Sequence, residues 1–262
     1  MALEDGNASW GDMVKAALRQ ARLATEANSA NPAGYHLRGD TLLSASLILR
    51  LRHPNNPVWA LDCLEAAEKA LRQAEERAVF LQGVTLMQVH SSLGLLLLYR
   101  ARLRDDNALA VQAGDQIQGP LQLLKGMAKT DPTVVNALTA ARVIQSNFLA
   151  GSLLGYPCPP RLTVARQSLQ LAHRTINDAH KGGSHPQGLV VVWLARAILE
   201  AHAGDHARLT KYATSVITLA RGCNDEVSME NAQALLKGGV EAMNRLVLER
   251  NADMPDDVYA QG

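Results

Sequence analysis

His202 and His206 stand four residues apart, the spacing at which one helix face presents two imidazoles to a metal ion, with His173, His180 and His185 close by in the chain. Gly204-Asp205 falls between the pair. A glycine there ends a helix, so the two rings are not expected to share a face, and no carboxylate or cysteine joins them at ligand spacing. Asp105-Asp106 has the form of a paired carboxylate that holds magnesium and a diphosphate, yet no second acidic motif completes such a cluster, and one pair at a helix end serves as cap and dipole partner. Cys158 lies between prolines in GYPCPP, where neither a helix start nor a basic cluster lowers its pKa into the range of a nucleophile. Arg50, Arg52 and His53, and likewise Arg100, Arg102 and Arg104, cluster where helices end and complement the helix dipole. The chain has neither a glycine pattern for phosphate nor a serine elbow. This inventory predicts no catalytic residue, no metal and no cofactor.

A different set of polar residues has a binding pattern. The stretch from Val79 to Tyr99, VFLQGVTLMQVHSSLGLLLLY, carries no charge, and Gln82, Thr85, Gln88, Ser92 and Tyr99 fall within about a third of a helical circumference. Thr139, Arg142 and Gln145, then Arg196 and Glu200, interrupt two later apolar segments in the same sparse way. Such stripes either face a groove or satisfy one another and nearby carbonyls inside a core. The stretch is long enough to cross a bilayer, but Gln82, Thr85, Gln88, His90, Ser91 and Ser92 are polar and no second candidate exists, so no membrane span is expected.

These residues must be positioned by helices. Hydrophobic residues make up 47% of the 262 residues and aromatics only 4%, so Ala and Leu, both strong helix formers, carry the packing and the fold class reads as all-α. Ten helices are expected. The first follows Asn7 or Ser9 and ends near Ala27; the second covers about Tyr35 to Arg52, where HPNNP stops it. The third, VWALDCLEAAEKALRQAEER, is amphipathic, pairing Glu65 with Lys69 and Glu68 with Arg72 at four-residue spacing. Between Glu75 and Phe80 there is no Gly, Pro or Asn, so either a tight turn separates it from the fourth, to which Val79–Tyr99 belongs, or the two helices run on. RDDN opens the fifth, where Gly119-Pro120 predicts a kink or split. Thr130-Asp131-Pro132 opens the sixth, to about Leu154, and GYPCPP ends it. The remaining four cover about Leu162 to Lys181, GLVVVWLARAILEAHA, Gly204-Asp205 to Arg221, and Glu226 to Arg250. Helices two, four, six and eight are mostly apolar with sparse polar stripes, whereas three, seven and nine are charged, so the even ones are expected inside and the odd ones outside. Residues 1–250 read as one helical-repeat domain. The segment 251–262, with Asp253, Asp256 and Asp257, has too little apolar surface to offset its ordering entropy and reads as a flexible, dispensable acidic tail.

A net charge of +1 from 26 basic and 25 acidic residues supplies no field for nucleic acid or anionic membrane. Three widely spaced cysteines, Cys63, Cys158 and Cys223, suit reduced thiols, and the acidic start MALEDGNASWGD lacks an apolar run, so a cytoplasmic protein is expected.

Helical hairpins recur, starting near residues 9, 58, 106, 161 and 205. SLGLLLLYRARLRDDNALA resembles the first helix and turn of a tetratricopeptide-like (TPR-like) repeat, with Leu93-Gly94 at the family's Leu-Gly position and Ala108 near its small-residue contact. WLARAILEAHAGDHARLTKYA is similar through Leu194-Ala195, Ile198, the Gly204-Asp205 turn and Ala207. The repeats exceed the family's usual length of about 34 residues and most aromatic positions are replaced. The resemblance implies a right-handed α-solenoid of about ten antiparallel helices. The sparse polar residues on the apolar helices, rather than the resemblance, point to a non-enzymatic adaptor, scaffold or regulator that holds a partner protein or peptide in the concave groove of the even helices. Gln82, Thr85, Gln88, Ser92, Tyr99, Thr139, Arg142, Gln145, Arg196 and Glu200 would then be the contact residues. A helical enzyme or small-ligand-binding protein with a pocket between apolar helices is the alternative. ANPAGYHLR, Ala30 to Arg38, is similar to a short stretch of type VI secretion baseplate-associated proteins, which would make the chain a structural component of that assembly.

Overall fold

The structure is a computed structural model that describes residues 10–78, 83–127, 134–150, 162–179 and 186–261. Among the described residues it holds ten α-helices and no strand: α1 Trp10–Ala27, α2 Pro32–Arg52, α3 Val58–Ala78, α4 Val84–Arg104, α5 Asn107–Met127, α6 Val135–Ala150, α7 Leu162–Ala179, α8 Pro186–Ala203, α9 His206–Gly222 and α10 Glu226–Arg250. Short Asx-rich turns join many of them. The Asn31 side chain accepts from Ala33 N at 2.9 Å and Pro32 occupies the first turn of α2. Asp106, Asp205 and Asp225 cap α5, α9 and α10 in the same way, accepting from Leu109 N, Arg208 N and Ser228 N. Asp105 and Asn224 take left-handed φ values of 53° and 56°, and Gly204 one of 71°, which reverses the chain in one or two residues. The Asp105-Asp106 pair is thus a turn and a cap.

Each helix packs on the next, and the even helices also pack on one another, α2 on α4, α4 on α6, α6 on α8 and α8 on α10. Helix α4 has neighbours on four sides, α2, α3, α5 and α6, which explains why its sequence is apolar nearly all round. Two glycines allow backbones to close up: a Cβ on Gly39 would lie 2.5 Å from Leu71 Cγ, and one on Gly94 would lie 2.5 Å from Ile117 Cγ1. One core joins α1 to α4 around Leu42, Leu49, Leu64, Leu71, Leu93 and Leu96; another joins α8, α9 and α10 around Val190, Val216 and Leu235.

Helix α10 links these two cores by folding back on itself. Gly238 and Gly239 leave helical geometry, Gly239 with φ 66° and ψ −155°. Arg250 Nη1 donates to Asn231 Oδ1 at 3.0 Å across 19 residues, a span of about 28 Å in a straight helix. The returning half then packs on α2, so the last even helix meets the first.

Several elements differ from the sequence expectation. Helix α4 begins at Val84 after Gly83, which takes φ 96°, so α3 and α4 are separate and the apolar stretch from Val79 is not one helix; residues 79–82 lie outside the described residues. Helix α5 continues through Pro120 without a break, with Gly119 in open space beside it. The caps expected at Asn7 or Ser9, at Thr130-Asp131-Pro132 and the GYPCPP turn lie outside the described residues. The end segment, read as flexible, is packed. Met254 and Val258 are 1% and 0% exposed within the α1–α4 core, and Val258–Gln261 forms a 3₁₀ turn. Arg52 is the cause. Its Nη1 donates to Met254 O at 2.5 Å and Asp256 Oδ1 at 2.9 Å, and its Nη2 to Asn251 O, so three acceptors of the segment converge on one guanidinium. Asp256, held by His53 and Arg52, has its carboxyl below the usual range despite partial desolvation.

Candidate functional site

Two clefts contain the polar residues of the helices. The first opens on the inner faces of α2, α4 and α6 and has a volume of about 330 Å³. From α2 it takes His36 and Asp40, one turn apart; from α4 it takes Gln88, Ser92 and Tyr99; Ala137, Ala140 and Ile144 of α6 form an apolar wall. His36 Nε2 lies 3.2 Å from Ser92 Oγ and 3.3 Å from Asp40 Oδ2. A serine, histidine and aspartate in contact suggest a nucleophile, but here one ring nitrogen meets both partners. Activation requires one nitrogen to accept from the hydroxyl while the other donates to the carboxylate. The trio is therefore a hydrogen-bonding cluster. Burial raises the Tyr99 phenol pKa well above its ordinary value, so it stays neutral, and Gln88 is exposed at the mouth.

The second cleft, of about 370 Å³, lies among α7, α8 and α9. Each helix contributes at four-residue spacing: Arg166, Gln170 and Arg174 from α7, Arg196 and Glu200 from α8, Arg208 and Tyr212 from α9. Glu200 is 1% exposed and holds Arg166 in a fork, Nε to Oε1 at 2.9 Å and Nη2 to Oε2 at 2.5 Å, which raises the Arg166 pKa. The Arg196 guanidinium sits 4.6 Å from the Trp193 ring centroid and 5.4 Å from that of Tyr212, and Trp193 meets the His173 ring edge-on at 5.0 Å. Desolvation lowers the Arg196 pKa; desolvation and then the Arg196 charge lower that of His173, which favours a neutral imidazole.

The ten residues expected to line one groove divide between these places. Gln88, Ser92 and Tyr99 meet in the first cleft, Arg196 and Glu200 in the second. Gln145 is consumed inside the fold: its Nε2 donates to Gln118 Oε1 at 3.1 Å and its Oε1 accepts from Ser168 Oγ at 3.0 Å. Arg142 is buried, its carbonyl taken by Ser168 Oγ, and its pKa is lowered by desolvation. Thr139 is buried with Oγ1 unpartnered, Thr85 is half-buried, and Gln82 lies outside the described residues. Sequence reasoning missed His36 and Asp40, and Arg166, Arg174 and Arg208. The four-residue spacings 36/40, 166/170/174 and 208/212 were the available signal.

His202 and His206 are exposed at the end of α8 and the start of α9, and among the described residues no three His, Cys, Asp or Glu side chains group to hold a metal ion. Cys63 is buried, and burial first and Asp62 second raise its thiol pKa to about 12, so it is inert; Cys158 lies outside the described residues. Among the described residues no helix is long and apolar enough to cross a membrane. In comparisons with known proteins, no family model, no curated protein and no solved structure matches the chain.

Proposed function

We propose that this protein is a non-catalytic binding module, a TPR-like α-solenoid wound tightly enough that α10 meets α2. In this reading it receives a segment of a partner protein in the α2/α4/α6 cleft. The observation that carries this is the convergence of Gln88, Asp40 and the His36–Ser92 pair on an open cleft with an apolar wall. Such a surface offers donors and acceptors for a peptide backbone beside a place for an apolar side chain. The shared Nε2 of His36 weighs against the rival reading of an enzyme, because it leaves the hydroxyl without a base. The widely separated free thiols Cys63 and Cys223 support a reducing compartment such as the cytoplasm.

A photo-crosslinking amino acid placed at Gln88, and separately at the exposed Lys69 on the outer face of α3, tests the reading in source cells. The expected result is a discrete protein adduct from position 88 that is absent from position 69. Equal patterns from both positions, or no adduct from 88, would overturn it.

A further inference from the structure

The cleft among α7, α8 and α9 has no part in that reading and supports a site of its own. Four arginines, Arg166, Arg174, Arg196 and Arg208, line it against a single carboxylate, Glu200. Glu200 is committed to Arg166 through both oxygens, and Arg208 Nε has Asp205 Oδ2 at 3.5 Å. Arg174 and Arg196 therefore remain without an ion-pair partner among the described residues, on two helices that face one cleft. Arg196 is held in place by Trp193 and Tyr212, so a ligand meets a guanidinium already oriented, with little rotamer freedom left to lose. Gln170 and His173 from α7 and Tyr212 from α9 add further hydrogen-bonding groups.

We infer that this cleft binds the dianionic phosphate group of a phosphomonoester. Two uncommitted guanidinium groups match two negative charges, and donors from three helices match a tetrahedral group better than the planar, singly charged carboxylate. A carboxylate is satisfied by one fork, as Glu200 is by Arg166. At about 370 Å³ the space exceeds a phosphate and leaves room for the group that carries it.

Titration calorimetry of the full chain with inorganic phosphate is the test. We expect saturable binding that phosphoserine and ribose 5-phosphate displace; the stronger competitor tells a phosphorylated side chain from a free phosphorylated metabolite. Arg174→Gln should weaken phosphate at least about tenfold, the usual effect of losing a charged hydrogen-bond donor. Because Arg174 is exposed, that variant keeps its fold, while Arg72→Gln on α3 should bind as the parent does. Absence of saturable binding, equal displacement by acetate, or unchanged affinity in Arg174→Gln would overturn the inference. Crosslinking at Gln88 reads a different set of helices, so either result can fail alone.

Discussion

At the scale of single residues, the strongest commitment is the pairing of Glu200 with Arg166. Glu200 is 1% exposed and lies on α8; Arg166, whose side chain is 32% exposed, reaches it from α7. Removing the arginine strands a charge in the interior, and that penalty exceeds whatever the intact pair contributes. Arg166→Met is therefore expected to destabilise the chain by about 2 kcal/mol, discounted for the solvent that still reaches the guanidinium. Adding Glu200→Leu should restore most of the loss. Urea denaturation of the single and double variants measures this, and additive losses would show that the two side chains act independently. The same logic separates Gln145 from Gln88. One has both ends bonded between α5 and α7, while the other stands at the mouth of a cleft.

At the scale of elements, the short stretches that gave the sequence its resemblances have local structural reasons. In ANPAGYHLR, Asn31 caps α2 and Pro32 opens it. A Cβ on Gly34 would come within 3.0 Å of Ala21 O, and Tyr35 lies under the Arg77 guanidinium at 4.1 Å. Leu93-Gly94 matters because Gly94 admits Ile117 from α5, whereas Ala108, expected at the small-residue contact, is exposed. Gly94→Ala should cost about 1–2 kcal/mol, an overpacking loss partly offset by the better helix propensity of alanine. In an Ile117→Ala background, which removes the clashing carbons, the same change should cost little or stabilise. Thermal unfolding of the four proteins in that cycle decides it, and an unchanged cost in the second background would refute the close approach.

For the whole molecule, the contact of α10 with α2 depends on the segment from Glu226 to Gln261. The bend at Gly238-Gly239 returns α10 to α2, and the segment beyond Arg250 fills the α1–α4 core with Met254 and Val258 while Arg52 binds its carbonyls. Truncation after Arg250 removes two buried apolar side chains and leaves Arg52 with its partners gone. The expected loss is about 4 kcal/mol, or roughly 10 °C in thermal midpoint for a chain of this size. A shift within a degree or two would show that the segment contributes nothing to the core. Between α2 and both halves of α10 lies a cavity of about 250 Å³, lined by Leu47, Leu51, Val227, Met243 and Val247.

Local chemistry made much of this legible in the residues. Asparagine and aspartate before helical runs, proline after them and an Ala/Leu-rich composition specify the ten helices found among the described residues, and the apolar sequences of α2, α4, α6 and α8 call for enclosure, as α4 has on four sides. These are short-range effects, read within one or two turns. What lay beyond such a reading was every contact whose partners are distant in the chain. Arg52 and Arg100 both belong to basic clusters that the sequence places near helix C-termini, yet the first binds residues about two hundred positions away and the second, a turn before the end of α4, reaches Glu68 on α3 at 2.6 Å. The acidic end looked too polar to pack because its two buried side chains and its anchor belong to different parts of the sequence. The same holds for the polar stripes: spacing along a helix sets which side chains share a face, but the face they meet comes from another helix. Only tertiary packing decided that Gln145 is consumed between helices, that His36 joins Ser92, and that arginines from three helices surround one cleft.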